Sequence, residues 1–161
     1  MLLGDEEAFT ILYRQRQGPV YRFALQMTGS AAIADDVTQE VFLMLIEKRV
    51  RFDAARGSLG AFLFGIARNL VRRRIEKPAE LEDYAGPDDV FSDLTRRETI
   101  ESVRRAVLSL PETYREAVVL CDLQDQSYEE AAQALDCPVG TVRSRLSRGR
   151  ALLAQKLAVK V

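Results

Sequence analysis

Residues 127–150 read SYEEAAQALDCPVGTVRSRLSRGR, and this stretch decides the fold of the second half of the chain. Ser127 is a residue type that caps helices, and Glu130 stands three positions later, where a capping box places an acid. Pro138 ends this helix, because proline disfavours helical geometry in the residue before it. We expect Thr141 to cap a second helix. Two short helices joined by a tight turn form the helix-turn-helix pattern.

The second helix of this pattern is strongly basic. Residues 141–161 contain six basic side chains and no acidic one. A charged surface helix is the simplest explanation, but a solvated face normally mixes both signs of charge. A basic helix could also lie on a membrane surface, although this one lacks the bulky aromatic residues that such helices favour. The pattern therefore predicts DNA binding by the polar side of this helix, which carries Arg143, Ser144, Ser147, Arg148 and Arg150.

Charge is unevenly distributed along the chain, although the formal net charge is only −1. Residues 48–77 carry nine basic and two acidic side chains, a net charge of +7, and residues 141–161 carry a net charge of +6. The segments before and between these two islands are net acidic. Two separate basic islands predict two separate contacts with a polyanion, on separate halves of the chain.

The composition argues against catalysis and against a metal site. The chain has no histidine, and its two cysteines, Cys121 and Cys137, lack metal-binding spacing, so free thiols are expected. No Ser/His or Cys/His pair and no Gly-rich phosphate loop is present, so we expect no enzyme activity and no cofactor.

The chain also lacks the patterns of membrane insertion and secretion. No apolar run approaches the roughly 20 residues that a membrane helix needs. The start Met-Leu-Leu is followed by acids rather than by a secretion signal. We therefore expect a cytoplasmic protein without membrane insertion.

Apolar periodicity predicts helices throughout, so the expected fold class is all-α. The predicted helices of the first half are 5–17, one from residue 20 after a break at Gly18-Pro19, 31–47 and 58–76. Those of the second half are 94–109, one starting at Leu110-Pro111, and the two of the helix-turn-helix. In helix 94–109 we expect Ile100, Val103 and Val107 to be buried. Residues 78–93 contain two prolines, a glycine and many acids, which is typical of a flexible acidic linker. The expected organisation is two small helical domains, 1–77 and 94–161, joined by this linker.

Two features of the first domain have more than one explanation. Helix 31–47 shows an acidic face at Asp36 and Glu40, which is either solvated or a docking surface for a basic partner. In helix 58–76, Phe62 and Phe64 have core packing as their simplest role. Glycines inside that helix, including Gly65, cost about 1 kcal/mol each relative to alanine, so close packing or close approach of a ligand is expected there.

Four segments in the same order and spacing resemble bacterial sigma factors of the extracytoplasmic-function (ECF) group of the sigma-70 family. They are DDVTQEVFLMLIEK (35–48), SLGAFLFGIARNLV (58–71), LPETYREAVVL (110–120) and the stretch 127–150, and the resemblance covers almost the whole chain. It implies a transcription initiation subunit rather than an enzyme. The implied partners are core RNA polymerase (its beta-prime clamp helices and beta flap), promoter DNA and an anti-sigma factor. Domain 1–77 would correspond to sigma region 2 and domain 94–161 to region 4.

The resemblance also implies three sets of site residues. Docking on the beta-prime clamp helices would use Asp36, Gln39 and Glu40. Residues 49–57 and the helix from Ser58 match the part that opens and reads the −10 element, with base contacts from Asn69 and phosphate contacts from arginines. The full −10 set is Arg56, Phe62, Arg68, Asn69, Arg72 and Arg73. The −35 set, on the recognition helix, is Thr141, Arg143, Ser144, Ser147 and Arg148.

Some positions differ from what the family often carries, and two other classes of function remain. Tryptophan is frequent in the family where Phe62 stands, and a basic or polar residue where Gly65 stands. A DNA-binding regulator that acts without polymerase would explain the helix-turn-helix but not the second basic island or the acidic face. A helical protein-interaction adaptor would show little salt dependence in DNA-binding assays.

Overall fold

A computed structural model describes residues 3–75 and 94–158. Within these ranges the chain is helical and contains no β-strand, which confirms the all-α prediction. A 3₁₀ turn at Ala54–Arg56 precedes the third helix, and a π-helical segment at Val119–Leu123 continues the fifth. The predicted linker 78–93 lies outside the described residues. The helices are α1 Leu3–Thr28, α2 Ala31–Ile46, α3 Leu59–Ile75, α4 Leu94–Leu108, α5 Glu112–Val118, α6 Tyr128–Leu135 and α7 Val139–Ala158.

Helix α1 is a single helix, so the predicted break at Gly18-Pro19 is wrong. Pro19 lies inside α1. Proline fixes φ near the helical value and removes one backbone hydrogen bond, a cost of about 3 kcal/mol that tertiary packing must offset. Val20, Phe23 and Met27, which follow the proline, are each 1% exposed or less. Their burial against α2 and α3 holds the helix together across Pro19.

The first lobe, α1 to α3, is a three-helix unit whose second and third helices begin at serine caps. The Ser30 hydroxyl accepts a hydrogen bond from the Ile33 amide at 3.2 Å at the start of α2. The Ser58 hydroxyl accepts one from the Ala61 amide at 3.1 Å at the start of α3. Each cap satisfies a backbone donor that the helix leaves unpaired. Between the helices lies an apolar core that includes Phe23, Val37, Val41, Leu63 and Phe64.

The second lobe, α4 to α7, contains the predicted helix-turn-helix in α6 and α7. The capping box of Ser127 and Glu130 is confirmed, with both of its hydrogen bonds present. The expectation that Thr141 caps the second helix is wrong, because α7 begins two residues earlier. The Pro138 carbonyl accepts hydrogen bonds from the Thr141 and Val142 amides at 3.0 and 3.2 Å, so Thr141 already lies in the first turn.

Burial on α4 differs from the prediction at one position. Val107 is 3% exposed and Val103 packs against the core, as predicted. Ile100, however, is 45% exposed. Ile100 lies two turns before Val107 on α4 and is not part of the apolar core that covers Val103 and Val107.

The two lobes pack against each other, which the sequence did not predict. One apolar cluster contains residues from both, and α3 contacts α6 while α1 contacts α4. Gly65 of α3 stands where a Cβ atom would lie 3.4 Å from the Ala134 carbonyl oxygen of α6. The Arg115 guanidinium donates to carbonyl oxygens of both lobes, Met27 at 2.7 Å and Leu108 and Leu110 at 2.8 and 2.9 Å. Burial lowers the pKa of Arg115 from its ordinary value, opposed by the nearby acids Glu112 and Glu116.

Candidate nucleic-acid interface

Helix α7 exposes Arg143, Arg148 and Arg150 to solvent, whereas Arg145 and Lys156 are half-buried. Val142 and Leu146 are buried on the opposite side. Gly149 is buried there as well, and a Cβ atom at this position would lie 2.7 Å from Val118 Cγ2, so only glycine lets α7 approach α5 this closely. Of the predicted −35 set, Thr141 is half-buried, and the exposed members are Arg143, Ser144, Ser147 and Arg148.

Two tyrosines orient the arginines of this side. The Arg143 guanidinium lies 5.5 Å from the centre of the Tyr128 ring, within the range of a cation–π contact. Arg148 Nη1 donates to the Tyr114 hydroxyl at 3.3 Å. Neither contact neutralises the positive charge, so both guanidinium groups keep donors for an acceptor on a ligand.

Arg150 has a different role from its neighbours on α7. Its Nη2 and Nε atoms donate to the two carboxylate oxygens of Asp122 at 2.6 and 3.0 Å, a paired geometry that fixes both groups. The hydrogen bonds with Asp122 raise the pKa of Arg150 above its ordinary value. The pair links α7 to the π-helical segment, while the Arg150 side chain itself is 52% exposed.

A cleft of about 390 Å³ lies between the two lobes, bounded by residues 51–58 and α3 of the first lobe and by α6 of the second. It brings together four of the six predicted −10 residues, Arg56, Phe62, Arg68 and Asn69. The Phe62 ring lies 5.5 Å from that of Phe52, and both line the cleft. Phe64 instead is 4% exposed and packs on Phe23 at 5.6 Å. Phe64 is therefore the core residue of the pair, and Phe62 faces the cleft.

Arg68 and Arg72 are occupied by acids of the second lobe. Arg68 donates to Glu116, whose side chain is 1% exposed. Arg72 donates to Glu112 at 3.0 Å and lies 3.3 Å from the second Glu116 oxygen. In this arrangement both arginines are bound to carboxylates, but only Arg68, at 13% exposed, is withdrawn from solvent, whereas Arg72 is 39% exposed.

Arg73, the sixth predicted −10 residue, lies apart from the cleft. It lines an open groove between α2 and α3, together with Arg74 and the three predicted docking residues. The reason is helix geometry: Arg73 is 100° around the helix from Arg72 and points to the α2 side. The structure therefore places Arg73 beside the predicted docking residues and apart from the cleft, and its phosphate contact stays a prediction.

The groove between α2 and α3 has a volume of about 830 Å³ and mixes charge with apolar surface. Asp36 lies 3.5 Å from Arg74, and Glu40 accepts from Arg49 at 3.0 Å. Leu43 lines the same groove and is 43% exposed. An exposed leucine within a ring of charges is a common composition for a protein-docking surface.

Sequence reasoning missed several residues of these surfaces. Glu116 was not singled out, although an acid inside the apolar run of segment 110–120 signals a buried charge that needs a partner. Phe52 was not singled out within residues 49–57, although an aromatic residue there indicates a ring available for stacking. Gln133, whose side chain accepts from the Ser58 amide at 3.3 Å across the cleft, gives no signal in the sequence.

The two cysteine thiols are the reactive side chains still to be described. Cys121 and Cys137 are free and partly buried, and burial raises the pKa of the Cys121 thiol. Among residues 3–75 and 94–158, no group of three or more potential metal ligands lies together. No helix of these ranges combines the length and the hydropathy of a membrane span.

Comparison with family models and known proteins agrees with this geometry. The family model of sigma-70 region 2 matches residues 12–80, and that of sigma-70 region 4 matches residues 100–153. Two solved structures share the fold over nearly the whole chain. One is the sigma factor RpoE of Bartonella quintana in complex with the anti-sigma factor NepR, with 25% identity, a TM-score of 0.79, and coverage of 96% of this chain and 99% of that one. The other is CnrH in complex with the cytosolic domain of CnrY, with 26% identity, a TM-score of 0.75, and coverage of 97% and 91%.

Curated relatives give the same result. The ECF RNA polymerase sigma factor SigE of Mycolicibacterium smegmatis is 36% identical over 96% of this chain, which spans 65% of that protein's length. The ECF RNA polymerase sigma factor SigW of Bacillus subtilis is 30% identical over 96% of this chain and 91% of its own length. With matching region 2 and region 4 models and relatives of this similarity along its length, the chain belongs to the ECF sigma factors of the sigma-70 family.

Proposed function

We propose the residue roles through which this ECF sigma factor directs core RNA polymerase to its promoters. The single observation that carries the proposal is the separation of three surfaces: the exposed face of α7, the cleft beside α3, and the groove between α2 and α3. Each has the chemistry of one step in initiation. The protein performs no bond chemistry itself, and it acts by differential binding of promoter DNA.

The exposed face of α7 reads the −35 element in the major groove. Arg143 and Arg148 supply the planar donors that bind guanine O6 and N7 in pairs, a contact worth about 1–3 kcal/mol of discrimination. Ser144 and Ser147 are short hydroxyl residues between them that can contact either base edges or phosphates. Tyr128 and Tyr114 hold the two arginines without neutralising them, which lowers the entropy lost on binding.

The cleft beside α3 takes the unpaired strand of the −10 element. Phe62 and Phe52 offer ring surface for a base removed from the stack, and base–aromatic stacking is worth about 1–3 kcal/mol per base. The exposed amide of Asn69 at the cleft wall supplies a donor and an acceptor for a base edge. Arg56, whose side chain is 89% exposed, and Arg68 and Arg72 bind phosphates.

The groove between α2 and α3 docks on the clamp helices of the beta-prime subunit. Asp36, Gln39 and Glu40 provide acceptors for a basic helix surface, and exposed Leu43 provides apolar contact. The second lobe contacts the beta flap. We assign an anti-sigma factor as the regulatory partner by similarity to the RpoE–NepR complex, and the cytoplasm as the site of action.

Reversing the charge of Asp36 tests the docking assignment. Asp36→Arg is expected to abolish co-purification with core polymerase and run-off transcription, because like charges would then face the basic partner. The fold is expected to survive, since the Asp36 side chain is 54% exposed and its ion pair with Arg74 is a long one.

Glu7→Arg, an equal charge reversal at an exposed position of α1, is the matched control and is expected to retain polymerase binding. Unchanged co-purification of Asp36→Arg would remove this groove from the docking role. A wild-type chain that binds promoter DNA but never polymerase would instead favour a free-standing regulator.

A further inference from the structure

The two arginines that we assign to the −35 element lie on opposite flanks of α7. Arg143 and Arg148 are five residues apart, which separates them by about 140° around the helix axis and about 7.5 Å along it. Between the two flanks lie the short side chains of Ser144 and Ser147, both exposed. Two guanidinium groups that leave the helix in such different directions do not bind the same guanine. Each arginine therefore addresses its own base.

Helix α6 provides the contact on one flank. The Arg143 guanidinium lies 5.5 Å from the centre of the Tyr128 ring, and Tyr128 itself is half-buried against the apolar core. Two turns further along the same flank, Arg150 is bound by both carboxylate oxygens of Asp122 at 2.6 and 3.0 Å, so this side of α7 has a fixed position. A cation–π contact uses the face of the ring. The orientation of Arg143 therefore depends on the Tyr128 ring and not on its hydroxyl group.

Helix α5 provides the contact on the other flank, by a different chemical group. Arg148 Nη1 donates to the Tyr114 hydroxyl at 3.3 Å. Gly149, the next residue along α7, allows this approach. A Cβ atom at Gly149 would lie 3.3 Å from the Tyr114 carbonyl oxygen and 2.7 Å from Val118 Cγ2. The orientation of Arg148 therefore depends on the Tyr114 hydroxyl group.

We propose that Tyr128 and Tyr114 are positioning residues for −35 specificity. Tyr128 orients Arg143 through its ring, and Tyr114 orients Arg148 through its hydroxyl group. Each tyrosine thereby controls discrimination at the base that its own arginine contacts, and neither tyrosine has to touch a base. This inference rests on the proposed function, because it needs both arginines to read bases.

Orientation of an arginine matters more at the correct base than at a wrong one. A free arginine side chain loses rotamer freedom when it pairs with guanine, whereas an arginine that a tyrosine already holds loses less. At a wrong base the bidentate pair does not form, so the tyrosine contributes little there. Removing either contact is therefore expected to lower discrimination about threefold at one base pair, the size of one exposed cation–π contact or hydrogen bond.

Run-off transcription with core polymerase tests this assignment. The templates are a promoter selected from a random library and every single-base-pair variant of its −35 element, at a subsaturating concentration of the full chain. Arg143→Ala and Arg148→Ala identify the base pair that each arginine reads. Tyr128→Leu is expected to lower discrimination about threefold at the Arg143 base pair only, and Tyr114→Leu at the Arg148 base pair only. A loss at the other arginine's base pair, or an equal loss at every variant, would overturn the proposal.

Substitution by phenylalanine distinguishes positioning from packing. Tyr128→Phe keeps the ring and is expected to retain the discrimination of the wild type. Tyr114→Phe removes the hydroxyl group and is expected to lose as much discrimination as Tyr114→Leu. Both variants keep the packed ring, so thermal unfolding is expected to show an intact fold for each. Equal discrimination by the two phenylalanine variants would overturn the proposal.

The arginine variants separate failure of the positioning from failure of the proposed function. If Arg143→Ala and Arg148→Ala lower transcription equally at every −35 variant, neither arginine reads a base, and both the proposed −35 role and the inference fail. If the arginine variants act at single base pairs while Tyr128→Leu and Tyr114→Leu act uniformly, only the positioning by tyrosines has failed.

Discussion

We propose that helices α3 and α7 both bind DNA, and each carries a pair of arginines about one turn apart. The surroundings of these arginines differ between the two helices. On α7, Arg143 and Arg148 rest against tyrosines and face solvent. On α3, Arg68 and Arg72 are bound by carboxylates of the other lobe. Composition therefore determines the sign of the charge on a surface, whereas packing determines whether a ligand can reach that surface. Arg143 and Arg148 of α7 are open to solvent, whereas Arg68 of α3 is covered by the second lobe.

The largest effect is expected from removing an arginine of the available surface. Arg148→Ala should cost about 1–3 kcal/mol at the preferred −35 sequence and less at other −35 sequences, because a bidentate contact discriminates between bases. Arg22→Ala on α1 removes the same charge far from α7 and should lower transcription little and uniformly. Run-off transcription across −35 variants measures this, and an equal loss at every variant would show that Arg148 contacts phosphate only.

A smaller effect is expected from Asn69 of the covered surface. Asn69→Ala should weaken discrimination among −10 variants by about 0.5–1.5 kcal/mol, the usual net value of one hydrogen bond. Discrimination among −35 variants should not change, so one transcription assay distinguishes the contributions of the two surfaces. A loss of −35 discrimination in this variant would mean that the lobes read DNA as one coupled unit.

The smallest effect is expected from Asp122, which orients α7 through Arg150. Asp122→Asn should lower the free energy of unfolding by no more than about 1 kcal/mol, because both side chains are partly exposed and solvent screens the pair. Thermal unfolding measures the change, with Glu101→Gln, which removes the exposed Arg105 pair on α4, as the control. A loss well above that of the control would show that α7 depends on Asp122 for its fold.

The sequence predicted local structure better than contacts between distant segments. Caps and periodicity gave α2, α3, α4 and α6 within a residue or two, because each signal lies within one or two turns of the helix it affects. The predicted helix break at Pro19 is wrong, because burial of the residues that follow it outweighs the local cost of proline. The predicted cap at Thr141 is wrong as well, because the Pro138 carbonyl already accepts the first hydrogen bonds of α7.

The same limit applies to the candidate sites. The outward face of α7 followed from the sequence, because helical spacing alone separates Val142 and Leu146 from the residues between them. The partners of Arg68 and Arg72 did not, because Glu112 and Glu116 stand 40 positions or more further along the chain. Arg73 was grouped with the −10 set by the resemblance to the family, and 100° of helix rotation from Arg72 places it in the groove between α2 and α3.

Binding of two probes, each with and without core polymerase, tests the difference between the surfaces most directly. The probes are a −35 duplex and a −10 non-template strand from a promoter selected from a random library by the polymerase complex. We expect the free chain to bind the duplex measurably and the strand poorly. We also expect core polymerase to increase the affinity for the strand far more than the affinity for the duplex. A free chain that binds the −10 strand as tightly as the polymerase complex does would contradict it.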